Sequence, residues 1–386
     1  MGKYVLTIDQ GTTSSRVIIF DERGNIIYKA LKEFEQYYPA PGYVLHDAQQ
    51  IYEDIVELIC NALQEVNIDF GDIIGVGITN QRETTIVWDK VTGKPIYYAI
   101  VWQSTQTKDI CDEYIQKGYD DIIKKKTGLL INPYFSASKI KWILENVAGA
   151  RKLAEENRLL FGTMDSWLVY KLTKGIHVTD YTNASRTMLF NIHSLCWDKE
   201  LLDLFGIPET MLPKVVSCNQ SIGKIQDERI SQICELEICG MAGDQQASLI
   251  GHTCFNTGSL KITYGTGSFM LLNTGKKPFP SNHGLLTTIA YVIDGKPCYA
   301  LEGSVFVAGS AFAFIRDNLE VIRNFSDHEF KSETSNGVVF IPALTGLGAP
   351  YWNSECRGAI LGLTRATTKA DICLLYTSPS PRDPKT

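Results

Sequence analysis

Short apolar runs rich in β-branched residues alternate along this chain with longer stretches whose apolar positions recur every three or four residues. Residues 3–8, 17–20, 73–78 and 85–88 belong to the first kind and predict strands. Residues 48–66 and 136–146 belong to the second and predict amphipathic helices. Strands interleaved with helices imply an α/β fold, a mixed sheet flanked by helices. Two predicted hairpins are alike. One joins 3–8 to 17–20 through Asp9-Gln10-Gly11-Thr12-Thr13-Ser14-Ser15; the other joins 260–263 to 269–272 through Tyr264-Gly265-Thr266-Gly267-Ser268. Small-residue turns of this kind expose backbone N–H groups to phosphate oxygens. Two of them, far apart in sequence, predict two related units gripping one nucleotide, with a boundary near residue 250. Taken alone, either turn reads first as an ordinary hairpin, and it is the pairing that points to phosphate.

The candidate chemistry starts from Gly243-Asp244-Gln245-Gln246, which sets a lone carboxylate just before the second hairpin. Phosphoryl transfer to an alcohol uses such a carboxylate to receive the hydroxyl proton. Locally, Asp244 also reads as the N-cap of a helix over 245–250, and both roles can coexist. Asp9 ends the first strand beside hydroxyl-bearing residues. It suits Mg²⁺ held through water, or a carboxylate bonded within its own turn. Arg82 and Glu83 follow the strand at 74–79 and offer a donor fork beside an acceptor. That pair fits vicinal hydroxyls, or a surface ion pair. Trp102, Tyr134 and Phe269 can flank a carbon skeleton or be plain core.

Composition narrows the classes. With 386 residues and 44% apolar content the chain can build two cores, and its formal net charge of -6 argues against nucleic-acid binding. Its longest basic block, Lys124-Lys125-Lys126, reads as a solvated helix face. Ten cysteines without a Cys-x-x-Cys pair read as reduced thiols. No signal peptide or membrane-length apolar run is apparent, so a cytoplasmic protein without membrane insertion is expected.

Longer blocks carry a resemblance. Asp9-Gln10-Gly11-Thr12-Thr13-Ser14-Ser15-Arg16, Asn80-Gln81-Arg82-Glu83-Thr84-Thr85, Val101-Trp102-Gln103, Pro133-Tyr134-Phe135, the run from Asp180 through Arg186 to Met188, Gly243-Asp244-Gln245-Gln246, Tyr264-Gly265-Thr266-Gly267 and the run from Pro342 to Trp352 occur in order. In these the chain resembles the sugar-kinase family, which shares the ATPase fold of actin and Hsp70, and within it the members that phosphorylate glycerol. The resemblance implies two related actin/Hsp70-like domains. Residues 1–250 would carry the acceptor site and first phosphate loop, and 251–372 an incomplete second domain with the other loop. Residues 373–386, rich in Pro and Ser, would be a disordered tail foreign to a C-terminally truncated protein.

The implied reaction is phosphorylation of glycerol by ATP with Mg²⁺, giving sn-glycerol 3-phosphate, the first step of glycerol catabolism. A kinase for another small polyol or sugar is the near alternative, and an inactive fragment a further one. Asp244 would be catalytic. Arg82, Glu83, Trp102, Tyr134, Asp244, Gln245 and Phe269 would bind the acceptor; Thr12, Thr13, Ser14, Arg16, Thr266 and Gly309 would bind the nucleotide; Asp9 and Asp244 would serve the metal. A homo-oligomer is implied for the complete protein. Two departures stand out: Thr105-Gln106 occupies the place of an arginine pair, and Ala313 that of a glutamine. The loop at 226–237 lacks the Gly/Arg-rich character required for control by a phosphorylated sugar, so none is expected there.

Overall fold

A computed structural model describes residues 2–321 and 334–374. The tail expected at 373–386 lies outside the described residues from 375 on, and a helix at Lys369–Leu374 takes its first two positions. The chain forms two compact units. One comprises Met1–Lys261, Leu272–Pro280 and Leu286–Leu301, the other Ile262–Leu271, Ser281–Leu285 and Glu302–Thr386.

The first unit is organised by a six-stranded sheet of β1 (Tyr4–Gln10), β2 (Ser14–Asp21), β3 (Ile26–Glu33), β4 (Ile73–Asn80), β5 (Gly223–Lys224) and β6 (Glu237–Gly243), in the order β5-β6-β4-β1-β2-β3. β6, β4 and β1 run parallel, while β2, β3 and β5 pair antiparallel to their neighbours. Alternation puts Leu6, Ile8, Val17 and Ile19 into one buried core with Ile51, Ile55 and Ile59 of helix α1 (Ala48–Glu65). Each such side chain contributes about 1.5–3 kcal/mol through burial. Asp47 starts α1 by accepting hydrogen bonds from the Gln49 and Gln50 N–H groups. The helix expected at 136–146 is present as α2 (Ser136–Asn146).

Three expectations need correction. The first hairpin turn is shorter than its hydroxyl-rich sequence suggests. Asp9 pairs with Arg16 and Gln10 with Ser15, so only Gly11-Thr12-Thr13 turns, closed by the Gly11 N–H donating to the Ser14 carbonyl at 2.9 Å. Strand pairing overrides the turn preference of Ser14 and Ser15. Nor is the lysine triplet uniformly solvated: Lys126 donates to Asp198 at 2.7 Å and to Glu200 at 2.6 Å. Arg82 and Glu83, finally, are no surface ion pair, being 3% and 1% exposed.

In the second unit, Ile262–Leu271 carries the turn of the other predicted hairpin, between strands assigned to Leu260–Tyr264 and Ser268–Gly275. A short helix follows at Gly309–Ala313, and Val339–Ile341 pairs antiparallel with Ala359–Leu361. Among the described residues, nine cysteines are free and no helix is long and apolar enough to cross a membrane.

Candidate active site

Because β1, β4 and β6 are parallel and in register, their carboxyl ends lie side by side. Gln10 pairs with Asn80, and Asn80 with Gly243. At roughly 4.8 Å between strands, the segments leaving these ends, Gly11-Thr12-Thr13, Gln81-Arg82-Glu83 and Asp244-Gln245, share one edge of the sheet. Ligands of open α/β sheets bind at such an edge.

Side chains tie the three segments together. Gln81 donates from Nε2 to Gln10 Oε1 at 3.1 Å and to the Gly11 carbonyl at 3.2 Å, while its own Oε1 accepts from Thr84 Oγ1 at 2.9 Å. Trp102 donates from its indole to Thr12 Oγ1 at 3.0 Å and meets Tyr134 edge-on at 5.8 Å between ring centroids. Thr12 is half-buried, Thr13 exposed and Ser14 buried, so the first two stand at the surface of the turn. Arg16 donates to Asp9 Oδ2 at 3.0 Å across the hairpin.

Arg82 reaches across the edge. Its Nη1 donates to Gln246 Oε1 at 3.2 Å and its Nη2 to Tyr134 Oη at 3.3 Å, with Nε 3.5 Å from Asp244 Oδ1 and 3.9 Å from Glu83 Oε1. Gly243 is required beside it, since a Cβ there would lie 2.7 Å from the Arg82 side chain. Glu83 points to a second cation: Arg186 Nε donates to its Oε1 at 2.6 Å, and both residues are buried. The Arg186 guanidinium lies over the rings of Tyr134 and Phe135.

Asp244 opens helix α3 (Asp244–Gly251) as its first helical residue, not its cap; Gly243 takes the cap position without a side-chain bond. The carboxylate accepts from the Gln245 N–H at 2.7 Å and from Gln245 Nε2 at 3.0 Å. Lys261 in turn donates to Gln245 Oε1. The Asp244 side chain is 37% exposed. Lost hydration raises its pKa above the ordinary carboxylate value, against the pull of Arg82.

Asp9 and Asp244, 28% and 37% exposed, are carboxylates available to a metal ion at this edge. Asp9 lies near the end of β1 and Asp244 follows β6, two strands over; among the described residues no group of three or more His, Cys, Asp or Glu side chains gathers as a metal site.

Thr266, Phe269 and Gly309 belong to the second unit. There the hairpin turn and residues 308–310 close on each other. The Gly309 N–H donates to the Gly265 carbonyl at 2.9 Å, and Ser310 Oγ to the Thr266 carbonyl at 2.9 Å. A Cβ on Gly309 would lie 2.6 Å from that Gly265 oxygen, so only glycine fits. Phe269 is buried on its strand.

The residue reading missed Arg186 and Lys139 as parts of this site. Arg186 had a signal, being a lone cation in the small polar run Thr182-Asn183-Ala184-Ser185. Lys139 had none, looking like any polar position of α2. Of the departures, Thr105 bonds through Oγ1 to the Gly42 carbonyl at 3.3 Å, and Gln106 Oε1 accepts from Ser104 Oγ at 3.1 Å. Neither supplies charge.

Comparisons with known proteins show the family. Residues 4–251 match the N-terminal domain, and residues 260–375 the C-terminal domain, of the FGGY family of carbohydrate kinases. The chain is 56% identical to proteins named glycerol kinase from Geobacillus sp. (strain WCH70) and from Thermus thermophilus, over 96% of its own length and 75% of theirs. Among solved structures, a Plasmodium falciparum glycerol kinase with ADP superposes with a TM-score of 0.86 at 38% identity, covering 97% of this chain and 76% of that one. A Lactobacillus acidophilus xylulose kinase at 23% identity and a TM-score of 0.84 shares the fold. With both domain models matched and more than half of its residues shared with those relatives, this chain belongs to the FGGY family of carbohydrate kinases.

Proposed function

We propose that the chain transfers the γ-phosphoryl group of ATP to a terminal hydroxyl of glycerol, giving sn-glycerol 3-phosphate and ADP. The observation that carries this reading is the junction of Asp244 with the Arg82 guanidinium at the edge where the first phosphate turn also emerges. The identity to proteins named glycerol kinase supports glycerol as the acceptor.

In the reaction, a glycerol oxygen attacks the γ-phosphorus in line, the new O–P bond forms as the bond to the β-phosphate oxygen breaks, and the hydroxyl proton passes to Asp244. Lost hydration raises the Asp244 pKa above the ordinary carboxylate value, which makes it a stronger base than an ordinary aspartate. Arg82 donates to one glycerol hydroxyl and Glu83 accepts from its neighbour. Arg186 holds Glu83 in the orientation this requires, and Gln245 steadies Asp244. Trp102 and Tyr134 flank the carbon skeleton, and Phe269 is the second unit's own acceptor residue. Thr12, Thr13, Ser14 and Arg16 contact the phosphates through hydroxyls and a cation, and Thr266 and Gly309 are the second unit's own nucleotide residues. Asp9 and Asp244 would hold Mg²⁺, which when bound neutralises phosphate charge.

The test is ADP formation by the purified chain with glycerol or D-xylulose as acceptor, with ATP and glycerol also titrated separately by calorimetry. Glycerol-dependent ADP release with glycerol 3-phosphate as product is expected. A higher kcat/KM for xylulose would replace glycerol as the acceptor.

A further inference from the structure

Glu83 sits in a strained turn at the centre of the acceptor edge. Its φ is 59°, in the left-handed region, and the Thr84 N–H donates to the Arg82 carbonyl at 2.7 Å, closing a three-residue turn around it. Such a backbone persists only where its surroundings hold it. Here the Glu83 carbonyl accepts from Thr85 Oγ1 at 3.0 Å, Ser136 Oγ at 3.2 Å and Lys139 Nζ at 3.2 Å. Lys139 also donates to the Tyr134 carbonyl at 2.6 Å.

Lys139 is fully buried on α2, beside the apolar Ile140 and Ile143. An apolar residue would satisfy that position without a desolvated ammonium. Lost hydration pushes the Lys139 pKa down to about 7, against the attraction of the Glu83 carboxylate. Its placement is specific: Nζ bridges the main chains of Glu83 and Tyr134, whose side chains meet Arg186 and Arg82 respectively.

Resting on the acceptor reading above, we infer that Lys139 is a positioning residue for acceptor binding, a buried clamp that fixes the strained Glu83 turn against Tyr134. It touches no substrate. Losing it frees the Glu83 turn to relax toward ordinary backbone angles, which moves the carboxylate away from the acceptor hydroxyls. The nucleotide turn at Gly11-Thr12-Thr13 is held by Gln81 and Trp102 instead, so it is not disturbed.

The experiment compares the full chain with Lys139→Met, which keeps the side chain's length but removes its donors, and with the milder Ser136→Ala, which removes one neutral donor to the same carbonyl. KM for acceptor, KM for ATP, kcat and thermal unfolding are measured for each. Lys139→Met is expected to raise the acceptor KM at least tenfold with the ATP KM within twofold, and Ser136→Ala to raise it two- to fivefold. A role in stability alone would lower Tm and the active fraction without moving the acceptor KM. A folded Lys139→Met protein with acceptor KM within twofold of the parent overturns the proposal, as does an unchanged KM in Ser136→Ala should Lys139→Met not fold. If the parent chain prefers xylulose to glycerol, the acceptor identity fails, and the same comparison with xylulose still decides the role of Lys139.

Discussion

Arg82 Nε lies 3.5 Å from Asp244 Oδ1, joining two residues that stand 162 positions apart in the sequence and that neighbouring parallel strands deliver to one edge. The guanidinium stabilises the anion while burial opposes it, and burial prevails. An aspartate held in this way is a base of raised proton affinity.

Asp244→Asn is therefore expected to lower kcat by ~10²-fold or more, the usual contribution of general base catalysis, with the dissociation constant for glycerol within a few-fold of the parent. In the parent chain the acid limb of kcat/KM should lie above the ordinary aspartate value of ~3.9, because the active anion is lost at a higher pH. Steady-state kinetics across pH and calorimetry measure both. Turnover within tenfold of normal in Asp244→Asn would assign the proton to another acceptor.

Glu83→Gln keeps size and one acceptor but removes the charge facing Arg186. Glycerol affinity should fall by about 1–3 kcal/mol, the scale of a charged hydrogen bond, with ATP affinity unchanged. Leaving the Arg186 cation buried without its anion should also lower Tm. Calorimetric titration with each ligand separates the two effects; equal losses for ATP and glycerol would indicate a damaged fold in place of a damaged acceptor site.

Acid stability follows from buried histidines. Burial holds His46 down to about 3, and it holds His177 down to about 4 despite a bond to the Phe161 carbonyl. Both are neutral in the native state, whereas the unfolded chain protonates them near pH ~6.5. Below that pH the unfolded state binds more protons, so each histidine lowers stability by up to about 1.4 kcal/mol per pH unit. Asp165, raised to about 6 chiefly by burial, works in the opposite direction between its folded and unfolded values. The difference between the parent and His46→Gln isolates one histidine. Urea unfolding at pH 6 and pH 5 should show the parent losing about 1 kcal/mol more than the variant, and equal losses would refute the assignment.

Local sequence determined the elements of this protein and their chemistry. Alternation marks β1, periodicity marks α2, and the motifs around Asp9, Arg82 and Asp244 name the reactive groups, because side-chain period and residue type are properties of short segments. Tertiary structure decided which partners those groups meet. Locally, Glu83 read first as half of a surface ion pair, with acceptor ligand as the other reading, until strand register buried it against Arg186, 103 residues away in sequence. Lys139 gave no sign of more than a polar helix position until packing of α2 placed its ammonium under the Glu83 and Tyr134 carbonyls. Partners of buried charges come from distant segments, and only the folded chain fixes which carbonyl or carboxylate a desolvated cation must find.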